Sequence, residues 1–222
     1  MHPSPPAPTA NSLSVKVNTA MIEEAQSILR NLFSQTITAP PIVWANRELG
    51  YLTGGCYCSN PSTIILINSA FKDNERYFFY QRSEVIAHEL VHHQRARLQS
   101  VKYEEIIAYQ TSPNRFRRYW GGVFRTRFEP IIITLFSLSF FVSSLVTQLN
   151  SVGWLIRSMI LITFTAYLSF LLIRHYLAMR SFKSAARSFA LTETNPLKTL
   201  LHCNDQRIDA EAQKYSVARA HG

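Results

Sequence analysis

The spacing of apolar residues changes several times along the chain, and each change predicts an element. From Thr19 to Gln35, the residues Met21, Ile22, Ala25, Ile28, Leu29, Leu32 and Phe33 recur every three or four positions, which predicts an amphipathic helix. Pro40-Pro41 breaks it. Ile42-Val43-Trp44-Ala45 reads as a strand, Gly50 to Gly55 as a turn, and Thr63 to Asn68, rich in β-branched residues, as the next strand. A second helix is expected from Ser83 to about Leu98. A third runs from Val101 to about Gln110 and is stopped by Ser112-Pro113. Gly121-Gly122 marks a bend.

The pattern then loses its polar half. Ile131 to Leu149 carries no charge, and Val152 to Ile173 is interrupted only by Arg157. A spanning helix needs about 20 mostly apolar residues, and each stretch approaches that. Two such neighbours do not fit the core of a small soluble domain. With the short connector Gln148-Leu149-Asn150-Ser151, they predict a transmembrane hairpin, with Arg157 snorkelling toward the connector. A basic helix, a break at Thr194-Asn195-Pro196 and a short C-terminal helix follow.

Charge orients the hairpin. Arg115, Arg117, Arg118, Arg125 and Arg127 precede the first span, Arg174, Arg180, Lys183 and Arg187 follow the second, and the connector has no Lys or Arg. The positive-inside rule puts both termini on the cytoplasmic or an equivalent inner side. The net charge of +9 then reflects topology and anionic lipid at the basic flanks. Phe116, Tyr119, Trp120, Phe124 and Phe128 interleave these arginines as an RNA-binding stretch would, but beside a span they suit an interface, and no nucleic acid is expected. Cys56, Cys58 and Cys203 are too few for a disulfide framework and read as reduced thiols on the inner side. Met1 to Asn18 has no apolar core and no signal-peptide pattern; its Pro-rich start is expected to be disordered.

The candidate chemistry lies in the second helix, at His88-Glu89-Leu90-Val91-His92. Four-residue spacing puts both imidazoles on one helix face, within reach of one ion. Zn²⁺ takes neutral imidazole and is usually four-coordinate. Glu89 lies beside the open position, where it can take a proton from water and return it to a leaving amine. A third protein ligand is usual. If the chain turns near Leu98-Gln99 and runs back, Glu105 comes level with His92 and Tyr109 with His88, where a phenol can stabilise an oxyanion. Glu104, Asp209 and Glu211 are the other third-ligand candidates. His93 points about 100° off the ligand face, and His175 reads as interfacial.

Ala87-His88-Glu89-Leu90-Val91-His92 and the order of elements from about Ala20 to Ala210 resemble the HtpX-like membrane zinc endopeptidases, relatives of the CAAX prenyl endopeptidases. The resemblance implies a small zincin-like α+β domain with membrane helices. In such peptidases a strand before the motif helix, here residues 62 to 68, offers its edge to an extended substrate. The family's third ligand is a Glu in Glu-x-x-Ala-Asp after the last span. Lys183 occupies the best-placed equivalent here, and the alternative register at Asp209-Ala210-Glu211 offers Asp instead.

The expected protein is therefore α+β: a small zincin-like domain, with helices and a short mixed or antiparallel sheet, carrying a two-helix transmembrane hairpin. Its segments are a tail (1–18), the peptidase-like domain (19–128), the hairpin (129–174) and a basic helical segment (175–222) packing on the inner side. The expected activity is that of a gluzincin-type metalloendopeptidase with one Zn²⁺ per chain on His88, His92 and Glu105, with Glu89 as base and a peptide or membrane-protein substrate. The alternative, favoured by Lys183, is a non-catalytic membrane scaffold that keeps the fold.

Overall fold

A computed structural model describes residues 16–45, 49, 53–59, 63–126, 128–147 and 152–221. The tail through residue 15, the first half of the expected turn (50–52), and the connector at 148–151 lie outside the described residues. The chain is mostly helical, with a small sheet.

Helix α1 (Thr19–Phe33) starts where the Asn18 side chain accepts the N–H of Ala20, and ends where Ser34 turns left-handed. Its apolar stripe buries Ala25, Leu29 and Phe33. Strands β1 (Ile42–Ala45), β2 (Gly55–Cys58) and β3 (Ile64–Asn68) form one mixed sheet in the order β1-β3-β2, with β1 parallel and β2 antiparallel to β3. Side chains alternate along β3: Ile65 and Ile67 join the main core, while Leu66 packs with Val43, Ala45 and Cys58 on the other face. Because β3 is central, it has no free edge to offer a substrate, and that expectation is corrected. The edge beside the motif helix belongs to β2, where Gly55 would otherwise read as the end of a turn. A small hairpin, β4 (Arg76–Tyr77) and β5 (Tyr80–Gln81), turns through Phe78 at a positive φ of 51°.

Helix α2 (Arg82–Arg95) carries the histidine motif, tightens into a 3₁₀ turn over Ala96–Leu98 and stops at left-handed Gln99. Its buried Val85, Ile86, Leu90 and Val91 face the main core, which includes residues of α1 and β3. The chain then returns through α3 (Glu104–Ala108), shorter than its pattern suggests because the last turn is 3₁₀ from Tyr109 to Thr111. Helix α4 (Arg115–Trp120) follows, capped by Asn114.

Helices α5 (Phe128–Thr147) and α6 (Val152–Phe189) pack side by side. Both are long and apolar enough to cross a membrane, and only 6% of either apolar window is buried. At 20 residues, α5 is about 30 Å long, the thickness of a bilayer's hydrocarbon core. At the hairpin's base, Arg174 holds Glu129 through two nitrogens at 2.7 and 3.0 Å, and Glu129 also accepts the Arg125 N–H at 2.8 Å. His175 is buried rather than interfacial: its Nε2 lies 2.6 Å from the Tyr119 carbonyl and its ring stacks on Trp120. Arg157 lies over the Phe140 ring.

The expected division at residue 174 falls inside α6, which runs on unbroken to Phe189. Ala178, Met179, Phe182 and Ala185 enter the same core as Leu29 and Ile107. Helix α7 (Pro196–Leu201) and helix α8 (Asp205–His221) complete that core through Leu200, Leu201, Ile208 and Ala212. The apolar hairpin and the core that includes the sheet are thus joined through one continuous helix.

Candidate metal centre

One turn of α2 separates His88 from His92, and their Nε2 atoms lie 3.1 Å apart. From α3, Glu105 brings Oε2 to 3.5 Å from His88 Nε2 and Oε1 to 3.6 Å from His92 Nε2. Among the described residues, these three form the one group of His, Cys, Asp and Glu side chains close enough to hold a metal ion. These separations are close to those of zinc ligands: tetrahedral ligands at 2.0–2.1 Å from an ion are about 3.3 Å apart. The remaining side opens on a cavity of about 530 Å³, which Glu89, Tyr109 and Arg117 also line.

Glu104 has a different task from its neighbour. Its Oε1 lies 2.9 Å from His92 Nδ1, and its Oε2 accepts from Arg95 Nε at 3.0 Å. A donor at Nδ1 leaves His92 Nε2 free to ligate, so Glu104 selects tautomer and ring orientation. Arg95 is fully buried. It donates to the carbonyls of Leu200, Leu201 and Cys203 at 2.9, 3.0 and 3.1 Å, and to Ser100 Oγ at 2.8 Å. It satisfies the open carbonyl end of α7 while fixing Glu104, which ties the C-terminal segment to the centre.

Glu89 is buried against β2 and accepts the backbone N–H of Tyr57. Burial pushes its carboxyl up; the nearby His92 and His88 and the Tyr57 bond pull against that without cancelling it. Gly55 eases this approach: a Cβ there would sit tightly, 3.0 Å from Glu89 Cγ and 3.1 Å from its Oε1. Burial works against protonation of His92, but Glu105, Glu104 and Glu89 outweigh it and raise the ring to about 9. An acidic pocket of this kind favours a cation.

Tyr109 packs its ring edge-on to His88, centroids 4.6 Å apart, and burial pushes its phenol up. Gly121 makes this possible: a Cβ there would come within 2.3 Å of the Tyr109 ring. Arg117 reads in sequence as part of a membrane flank. In the fold it pairs with buried Glu84 at 2.9 Å and lies over the Tyr80 ring at the cavity wall.

The other third-ligand candidates are engaged elsewhere. Asp209 holds Lys102 at 2.7 Å and Tyr103, and Glu211 holds Lys214 at 2.6 Å and Ser188 at 3.1 Å. His93 points away and packs on Tyr57, and Lys183 lies over the Tyr119 ring. Cys56 and Cys58 are free thiols with sulfurs 3.8 Å apart; burial pushes Cys56 up to about 12. Arg95, the Glu104 contact and the Tyr57 N–H were absent from the sequence reading. The one available signal was position 95, one turn beyond His92 on the same helix face.

Compared with known proteins, the chain matches no family model, no curated protein and no solved structure.

Proposed function

We propose that the protein is a membrane-anchored zinc endopeptidase with a zincin-like domain, its Zn²⁺ held by His88, His92 and Glu105. The two Nε2 atoms 3.1 Å apart, with one Glu105 oxygen 3.5 Å from His88 and the other 3.6 Å from His92, beside the Glu89 cavity, are the observation that carries this reading. Bound there by His88, His92 and Glu105, the metal would supply Lewis acidity for a scissile carbonyl and a water. Glu89 removes the proton from the attacking water and delivers it to the leaving nitrogen; a carboxyl raised by burial suits both halves of that transfer. Glu104 keeps the donor of His92 on the far side of the ring. Tyr109 and Arg117 supply polar groups for the developing oxyanion. An extended peptide lies along β2, whose Gly55 and Tyr57 border the cavity.

The length and apolarity of helices α5 and α6 support a domain at a membrane surface, and the basic residues at its end of the hairpin, read by the positive-inside rule, support both termini and the centre on the inner side. Two measurements on the purified full chain test the reading: zinc content, and cleavage of a quenched peptide library. About one zinc per chain is expected, lost in His88→Ala and kept in Glu89→Gln, which abolishes cleavage. A folded protein without zinc or cleavage refutes the enzyme and leaves a membrane scaffold.

A further inference from the structure

A second cavity, of about 540 Å³, lies between α6 and α8 on the membrane-proximal part of the domain. Arg180, Lys183 and Arg187 line it from α6 and Arg219 from α8, and no acidic residue does. The α6 cations recur at three- and four-residue intervals, so like charges neighbour one another on one helix stripe, an arrangement that destabilises a helix. Among the described residues none of the four has an ion-pair partner. The closest carboxylate in sequence on α8, Glu211, is held by Lys214 and Ser188. Tyr119, Tyr176, Tyr215, Ser184 and Ser216, all hydroxyl-bearing, also line it.

We propose that this cavity binds a phosphate-bearing anion. Arginine forks and a lysine, with hydroxyls around them, match a multiply charged oxyanion better than a lone carboxylate. Tyr176 and Arg180 lie about 3 and 9 Å along the α6 axis beyond Arg174, and Arg187 about 20 Å beyond it. With Arg174 at the edge of the hydrocarbon, the Tyr176–Arg180 end of the cavity falls at the depth of lipid headgroups, which extend about 5–8 Å outside it, and the Arg187 end falls in water. An anionic phospholipid headgroup and a soluble phosphate compound can both enter. The site is separate from the metal centre and does not depend on its activity.

The test uses the full chain in phosphatidylcholine nanodiscs, with phosphatidate added in one arm and inorganic pyrophosphate in solution in the other. Native mass spectrometry counts retained phosphatidate, and calorimetry measures pyrophosphate binding. One phosphatidate or one pyrophosphate per chain is expected. The triple variant Arg180→Gln, Lys183→Gln, Arg187→Gln is expected to bind roughly a hundredfold more weakly, at about fivefold per cation. A control with equal charge loss away from the cavity and the basic flanks, Lys72→Gln, Arg97→Gln, Lys198→Gln, is expected to bind like the wild type. Phosphatidate alone assigns the site to lipid; pyrophosphate binding assigns it to a soluble phosphate. Equal weakening in both variants, or binding of neither probe, overturns the proposal. If the triple variant misfolds, the single changes Lys183→Gln and Arg219→Gln must each weaken binding about fivefold. Zinc content of the same samples reports on the metal centre independently.

Discussion

Adjacent glutamates at 104 and 105 are assigned different jobs, and replacing each by Gln separates them. Glu104→Gln keeps the shape and removes the charge that faces His92 Nδ1 at 2.9 Å and Arg95 at 3.0 Å. Removing such an outer partner of a ligating histidine costs about 10–100-fold in metal affinity, or roughly 1.4–2.7 kcal/mol. Arg95 keeps its acceptors on Leu200, Leu201, Cys203 and Ser100, so the fold should survive. Glu105→Gln removes a proposed ligand itself and should weaken zinc well beyond that range. Competition with a chromogenic chelator gives both affinities, and turnover at saturating zinc completes the comparison. Glu104→Gln should regain most activity when zinc is saturating; Glu105→Gln should not. A larger affinity loss in Glu104→Gln than in Glu105→Gln would reverse the assignment, and no loss in either would refute the centre.

Three further outcomes follow from neighbouring contacts. Gly55→Ala pushes a methyl to 3.0 Å from Glu89 Cγ and should lower kcat at unchanged zinc content, as metal analysis beside peptide cleavage will show. Glu129→Ala leaves Arg174 without its carboxylate at the hairpin's base and should cost about 3 kcal/mol, read as a lower unfolding midpoint in detergent. Asp205 accepts the N–H groups of Val101 and Lys102 and a bond from Ser100; burial opposes these, but they hold its carboxyl below the usual value of about 3.9. A depressed carboxylate stabilises above its unfolded pKa and loses that contribution as pH falls through the folded value. The stability gap between wild type and Asp205→Asn should therefore be largest near neutral pH and shrink toward pH 3; a constant gap in denaturant titrations would contradict this.

What the sequence revealed depended on how local the physics was. Helical periodicity alone placed His88 above His92, and a turn near Gln99 was enough to bring Glu105 back to them. The apolar runs identified α5 and α6 because no core in a chain this size could bury them. Strand β2 was hidden by Gly54-Gly55, which read as a turn although Gly55 serves the close approach of Glu89. Hairpin β4–β5 is two residues per strand and turns on Phe78, so neither periodicity nor a turn glycine marks it. Arg95 and Arg174 look like solvated cations in sequence; the burial of Arg95 and the half-burial of Arg174 depend on carbonyls and a carboxylate distant in the chain. The continuity of α6 past Arg174 was obscured by the change from apolar to basic composition, which alters the solvent and not the helix.

X-ray absorption at the zinc edge of the purified full chain tests the central claim most directly. Two imidazole nitrogens at about 2.0–2.1 Å with oxygen completing the shell are expected, and no sulfur. Loss of the imidazole signal in His88→Ala should accompany loss of the metal. A sulfur shell at about 2.3 Å, implicating Cys56 or Cys58, or a zinc-free protein with its fold intact, would contradict the assignment to His88, His92 and Glu105.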